Sequence, residues 1–378
     1  MTHSLLKPVK TLVPEPGQEA SWGRLIGASA ALAATELAQV LAEGRSRPLL
    51  LLAEDSRHAD QLEAECRFFA GDTIVVEHFV EWETLPWDSF SPHQDIVSQR
   101  LRVLTELPSM RRGIIIATPA VLHQRLPPVD YIAARSLSLT CGQTLPRDDF
   151  TRSLAGAGYL RVPQVSEHGE FAVRGSLIDI FPMGADTPVR IDFFDDDIES
   201  LRYFSPENQL SGEKVESIRI LPAREIPLDD DAITRFRSHY RERFEGQPAK
   251  SRVYRDVSDG IAHGGIEYYL PLFFDSTASL LEYLPGNCVV MKPDSLDSLL
   301  EQFVADTTER FAMCSLDPER PILTADETFL SPQQVNKLLA GFARIRYSAQ
   351  TLSGNALNHD TRLPPAMKIE SRFENAAG

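Results

Sequence analysis

Phosphate transfer has the most demanding residue requirements, and the first strand-to-helix turn is where they would be met. A phosphate loop needs G-x-x-x-x-G-K-[ST]: glycines let backbone N–H groups wrap the phosphates, Lys neutralises them, and the hydroxyl binds Mg²⁺. The chain offers Gly27-Ala28-Ser29-Ala30-Ala31-Leu32-Ala33-Ala34. Gly27 stands, but Leu32 takes the second glycine position, Ala33 the lysine position and Ala34 the hydroxyl position. The segment reads as an ordinary βα turn leading into an Ala-rich helix. No cofactor is expected from it, neither ATP nor Mg²⁺.

Other candidate chemistries fail for similar reasons. The run Asp192-Phe193-Phe194-Asp195-Asp196-Asp197 has carboxylates enough for a hard cation. However, Asp195 to Asp197 falls between two strand-like runs, where Asp serves as a turn residue, so a hairpin turn is expected and no metal. His168-Gly169-Glu170 matches the H-x-E half of a zinc deaminase, but the P-C-x-x-C half is missing. No G-x-S-x-G elbow or H-E-x-x-H motif occurs, and no catalytic residue is expected. Trp22, Trp82 and Trp87 read as core or rim packing. Arg161 and Arg174 are different in kind. Arg174 lies in an otherwise apolar strand with Gly175 beside it as a bulge, and composition leaves two readings open: a solvated sheet face, or a protein-contact arginine.

The elements that must carry these residues change character along the chain. Up to about residue 126, helix and strand alternate. Ser29 to Glu43 is helical, and Leu49 to Ala53 is a continuous aliphatic run of the kind buried on both faces of a parallel sheet. Ser56 reads as the N-cap of a helix to Phe69, and Thr73 to Phe79 as a strand. Ser91-Pro92-His93-Gln94 reads as a capping box with Pro at the first helical position, and Gly113 to Ala117 as another buried strand. From Asp130 to Ala223, short strands and turns suggest an antiparallel meander over 171–181, 189–194 and 198–204, with one helix at 147–157. Helices at 231–244, 295–311 and 331–342 and a buried strand at 288–291 return to the first pattern. The expected fold class is α/β: a parallel-sheet domain over 1–126 and 213–340, interrupted by an α+β insert over 127–212. Residues 341–378 read as a linker or the start of a next domain.

Composition bounds the function. Lys plus Arg is 38 against 54 for Asp plus Glu, a formal charge of −16, which argues against a broad nucleic-acid-binding surface. The longest clean apolar run, Pro48 to Ala53, is far short of the ~18 residues of a membrane helix. The N-terminus does not read as a signal peptide. Cys66, Cys141, Cys288 and Cys314 stand too far apart for a zinc site or a disulfide framework, as in a reducing cytoplasm.

Two long stretches carry a resemblance: Glu83-Thr-Leu-Pro-Trp-Asp-Ser-Phe-Ser-Pro-His-Gln-Asp-Ile96, and Glu167-His-Gly-Glu-Phe-Ala-Val-Arg-Gly-Ser-Leu-Ile-Asp-Ile-Phe-Pro-Met-Gly184. With Asp192 to Asp197 and Gly265-Ile266-Glu267-Tyr268, they resemble the bacterial transcription-repair coupling factors over about residues 5–340. The resemblance is to that family's N-terminal module, itself similar to the excision-repair helicase UvrB, so the α/β domain would be a degenerate P-loop helicase-like one. It implies a piece of a longer protein, whose ATP- and Mg-dependent motor and whose RNA-polymerase and DNA contacts lie elsewhere. UvrB has an intact phosphate loop where this chain has Gly27 to Ala34, a metal-binding Asp-Glu where it has Lys292-Pro293-Asp294, and a long DNA-gripping hairpin where it passes from Trp82 almost directly to Ser91. What the two share is the insert that binds UvrA. The resemblance places that contact at Arg161, Phe171, Ala172 and Arg174, with Ala172 standing where UvrB has arginine. The alternative is a catalytically active, ATP-dependent helicase or DNA-binding half-module.

Overall fold

The computed structural model describes residues 2–3, 13–44 and 46–359. Its largest element is an eight-stranded sheet in the order β1-β16-β2-β15-β14-β3-β5-β4, parallel at every pairing. The strands are β1 (Thr2–His3), β2 (Glu19–Gly23), β3 (Leu49–Leu52), β4 (Val76–His78), β5 (Ile114–Ala117), β14 (Val289–Pro293), β15 (Ala343–Tyr347) and β16 (Leu357–His359). The aliphatic runs of β3 and β5 follow from their position. Leu50, Leu52, Ile115 and Ala117 enter one core, while Leu49, Leu51, Ile114 and Ile116 enter another on the opposite face. Helices α1 (Ser29–Gly44) and α2 (Ser56–Ala70) cover the second face, and α3 (Gln94–Glu106) packs Val97, Leu101 and Leu104 into the first. Buried on both faces, β3 and β5 have no room for polar alternation.

Between β5 and β14 the chain builds a six-stranded sheet, ordered β12-β11-β10-β9-β8-β7, and a two-stranded one of β13 and β6. The strands of the two sheets are β6 (Leu137–Thr140), β7 (Leu160–Arg161), β8 (Glu170–Arg174), β9 (Leu177–Ile180), β10 (Val189–Phe194), β11 (Asp197–Phe204), β12 (Ser211–Val215) and β13 (Ser217–Ile220). Pairing is antiparallel except at the edge, where β7 runs parallel to β8. The inner face sends Phe171, Ile178, Ile180, Val189, Ile191 and Leu201 into the large core, joined by Phe150 and Leu154 of the helix Arg147–Gly156. The expected class, an α/β parallel sheet interrupted by an antiparallel insert, is the observed one.

Several local expectations are corrected by long-range partners. The stretch from residue 171 to 181 is a hairpin of two strands, because Gly175 (φ +62°) turns the chain and is no bulge. Asp55, not Ser56, caps α2, its carboxylate accepting from the His58 N–H at 2.7 Å, while Ser56 donates to Glu81. Helix α3 starts at Gln94 under His93, since the Ser91 hydroxyl is taken by Glu267 at 2.9 Å. The strand expected over 73–79 shrinks to β4.

The expected linker after residue 340 contains β15, which lies inside the parallel sheet between β14 and β2. Its pattern is period-two: Ala343, Ile345 and Tyr347 are buried, while Arg344 and Arg346 reach Glu19 on β2. Residue 212, the expected end of the insert, falls inside β12, and β13 beyond it pairs with β6. The final part of the expected linker, residues 360–378, lies outside the described residues.

Candidate protein-docking face

The outer edge of the six-stranded sheet gathers the arginines singled out in the sequence. Strand β7 is the edge, and register pairs Arg161 with Phe171 on β8. Three residues further along β8, Arg174 is exposed and donates from Nη2 to the Pro163 carbonyl at 2.9 Å. Arg161 is exposed and makes no hydrogen bond or ion pair among the described residues. Phe171 and Ala172 are each only 1% exposed. Phe171 belongs to the large core, and Ala172 packs with Val165, Phe181 and Phe204 on the other face. These two side chains build the strand that presents the arginines; they are not surface contacts in this structure.

The loop between β7 and β8 is fixed by its own side chains. The Glu170 carboxylate accepts from the backbone N–H groups of Ser166 (2.8 Å) and Glu167 (2.9 Å), closing the loop on itself. The His168 ring lies between Asp95 Oδ1 at 2.6 Å and the Ala185 carbonyl at 2.8 Å, and packs on Phe181. Gly169 takes φ +79°, which lets the chain pass between His168 and Glu170 without side-chain strain. His168-Gly169-Glu170 is therefore a clasp between the insert and α3. Asp195 to Asp197 form the β10–β11 turn, where Asp196 accepts from the Arg147 N–H at 3.2 Å and so anchors the start of that helix.

Register also places a row across the outer face that sequence reasoning missed: Ala172, Asp179, Arg190, Arg202 and Lys214 on successive strands. Arg190 grips the buried Asp179 carboxylate with two bonds, 2.7 and 2.9 Å, which raises the pKa of its guanidinium further. Arg202 and Lys214 have no ion-pair partner among the described residues. Period-two alternation in each strand was the available signal, but the register linking the strands was not legible.

Residues 137–226, from the start of β6 to just beyond β13, match the family described as the UvrB interaction domain. The chain is 40% identical over 349 residues to the transcription-repair-coupling factor of Escherichia coli (strain K12), covering 92% of this chain and 30% of that protein. It is 34% identical over 367 residues to that of Haemophilus influenzae, covering 96% and 32%. With the factor of Mycobacterium tuberculosis it shares 32% identity over 278 residues, covering 69% and 22%. Over most of its length the chain is homologous to a segment of the transcription-repair-coupling factors. It spans about a third or less of the length of these curated relatives.

The turn from β2 to α1 differs sharply from the arginine-bearing edge. Ala30, Ala31, Ala33 and Ala34 are all buried against the sheet, and the Ser29 hydroxyl donates to the Ile26 carbonyl at 2.7 Å. Positions 33 and 34, where a phosphate loop needs its lysine and hydroxyl, are thus filled by methyl groups turned into the core. Trp22, Trp82 and Trp87 are buried as expected. Among the described residues, no helix is long and apolar enough to cross a membrane.

A second missed feature joins the segment just after β13 to the parallel-sheet layer. Arg100 of α3 is 0% exposed and meets Glu225, 3% exposed, at 2.6 Å. Its guanidinium also donates to the Val80 carbonyl and lies over the rings of Phe79 and Trp82, and the Trp82 indole donates to Glu225. The signal was a charge on the apolar stripe of Val97, Leu101 and Leu104. Nearby, burial raises the Glu267 carboxyl to about 7.

Proposed function

We propose that this chain is a non-catalytic recruitment module of a transcription-repair coupling factor. Its insert docks UvrA and so brings nucleotide excision repair to DNA at which RNA polymerase has stalled. The observation that carries this reading is the coincidence of the UvrB interaction domain match, residues 137–226, with the sheet whose edge exposes Arg161 and Arg174. Two guanidiniums on a rigid sheet edge can form bidentate bonds to carboxylates, a geometry that lysine would not reproduce. The acidity of the chain as a whole, net −16, orients the encounter by repelling acidic partners elsewhere on its surface.

The parallel-sheet layer acts as a scaffold that has lost its motor. Without Lys at 33 and a hydroxyl at 34, a triphosphate would meet an Ala/Leu helix start. A helix N-terminus alone contributes only ~0.3–1 kcal/mol at an exposed position. ATP, Mg²⁺, RNA polymerase and DNA therefore belong to parts of the whole protein beyond this chain, and the setting is the cytoplasm. We divide the chain into a discontinuous helicase-like layer and an insert bounded by the β6–β13 pair.

Capture of purified UvrA on the immobilised chain tests the recruitment role. Retention in stoichiometric amount is expected, and its absence would remove that role. Calorimetry with Mg-ATP separates it from an active helicase half: no binding is expected, whereas a micromolar dissociation constant would favour the active reading.

A further inference from the structure

Away from the docking edge, α2 and the edge strand β4 bring together Asp60, Glu63 and His78. One ligand atom from each lies within 4.8 Å of the others. His78 Nδ1 is 2.9 Å from Glu63 Oε2 and 3.9 Å from Asp60 Oδ1. Four ligands held tetrahedrally at ~2.0–2.1 Å stand about 3.3 Å apart, so the two measured separations bracket the required spacing. Asp60 and Glu63 are three residues apart on α2 and so share a helix face.

The donors are also held in place from behind. Arg67, one turn further along α2, donates to Glu63 Oε1 from Nε at 3.0 Å and pairs with it from Nη2 at 2.9 Å. That leaves Oε2 turned toward the imidazole, the outer-shell orientation of a carboxylate that metal centres use. The His78 side chain is 5% exposed, and its carbonyl accepts from Gln99 at 3.2 Å, which fixes the backbone of the strand end. Asp60 is exposed and free to close the remaining gap.

We propose that Asp60, Glu63 and His78 form a site for a divalent transition metal of the Zn²⁺ type. The fourth position is left to solvent or to a donor from another molecule. The ion takes the Nδ1 lone pair, the ring proton resides on Nε2, and Glu63 exchanges its hydrogen bond for coordination. One imidazole with two carboxylates suits Zn²⁺ or Co²⁺, whereas Ca²⁺ requires six to eight oxygens and Mg²⁺ an octahedron of oxygens. The ion ties the three-residue edge strand β4 to the helix that covers it.

The test uses the full untagged chain, with Zn²⁺ in calorimetry and Co²⁺ as a visible-absorption probe. One ion per chain is expected, with Co²⁺ showing the intense absorption of a four-coordinate site. Asp60→Asn and Glu63→Gln should each weaken binding about tenfold or more. Zn²⁺ should raise the melting temperature of the wild type and not of Asp60→Asn. Asp60 is a surface residue, so its variant stays folded even if His78→Ala does not. Unchanged affinity in both carboxamide variants, or no binding up to about 1 mM metal, would overturn the site.

Discussion

The junction around Arg100 and the outer edge carrying Arg161 and Arg174 both present guanidiniums, in opposite settings. Arg100 is enclosed by Phe79 and Trp82 and closed by Glu225, with its donors used internally. Arg174 has one bond to a loop carbonyl, and Arg161 has none among the described residues. A charge taken out of water must be matched where it lies, so removing its partner is felt as lost stability. A charge left on a rigid edge costs the fold little and remains available to a partner. The same side chain therefore serves cohesion in one place and, in the function proposed for the edge, recognition in the other.

The largest effect that could break this contrast is at the junction. Glu225→Ala leaves the Arg100 charge buried without its partner and should cost ~3–5 kcal/mol of stability, read by urea unfolding. A loss no greater than that of an average surface substitution would show that the pair does not hold the segment after β13 to the parallel-sheet layer.

Next comes the pH response of the same region. Burial raises the Glu267 carboxyl from 4.5 to about 7, so the folded chain keeps a proton that the unfolded chain releases. Stability from this group is fully present below about pH 4.5 and is lost as pH rises through 7. At ~1.4 kcal/mol per pKa unit, the wild type should lose roughly 2–3 kcal/mol across that window relative to Glu267→Gln. Unfolding curves of both proteins at pH 5 and pH 8 check this, and parallel behaviour would refute it.

At the edge, Arg174→Glu and Arg161→Ala should leave melting unchanged. Each should cost ~2 kcal/mol or more in affinity for UvrA, the charge reversal being the more damaging. Ala172→Arg sharpens the contrast from the other side. Although the resemblance to UvrB implies an arginine at that position, Ala172 is packed against Val165, Phe181 and Phe204. The longer side chain should therefore destabilise the sheet by ~1–3 kcal/mol without strengthening docking. A stable variant with tighter UvrA binding would mean that this face opens on contact.

How much of this was legible in the sequence depended on where each residue's partner lay. The runs Leu49 to Leu52 and Ile114 to Ala117 announced central parallel strands because both of their faces are buried. Asp195 to Asp197 announced a turn from purely local chemistry. Ser91 misled because its hydroxyl meets Glu267, 176 positions away along the chain, instead of capping the helix beside it. Strand β15 was missed because its two arginines look like linker composition until Glu19 is placed beside them. At the docking edge the resemblance supplied Arg161 and Arg174, but not the burial of Phe171 and Ala172, which depends on how both faces of the insert pack.

The central claim, recruitment through an exposed arginine edge, is tested most directly by titrating UvrA with the wild-type chain and with the Arg161→Ala/Arg174→Glu double variant. Melting curves of both serve as the folding control. The account predicts saturable binding by the wild type and, at ~2 kcal/mol or more per arginine, a loss of about 700-fold or more in an equally stable double variant. Equal affinity of the two folded proteins for UvrA would contradict it.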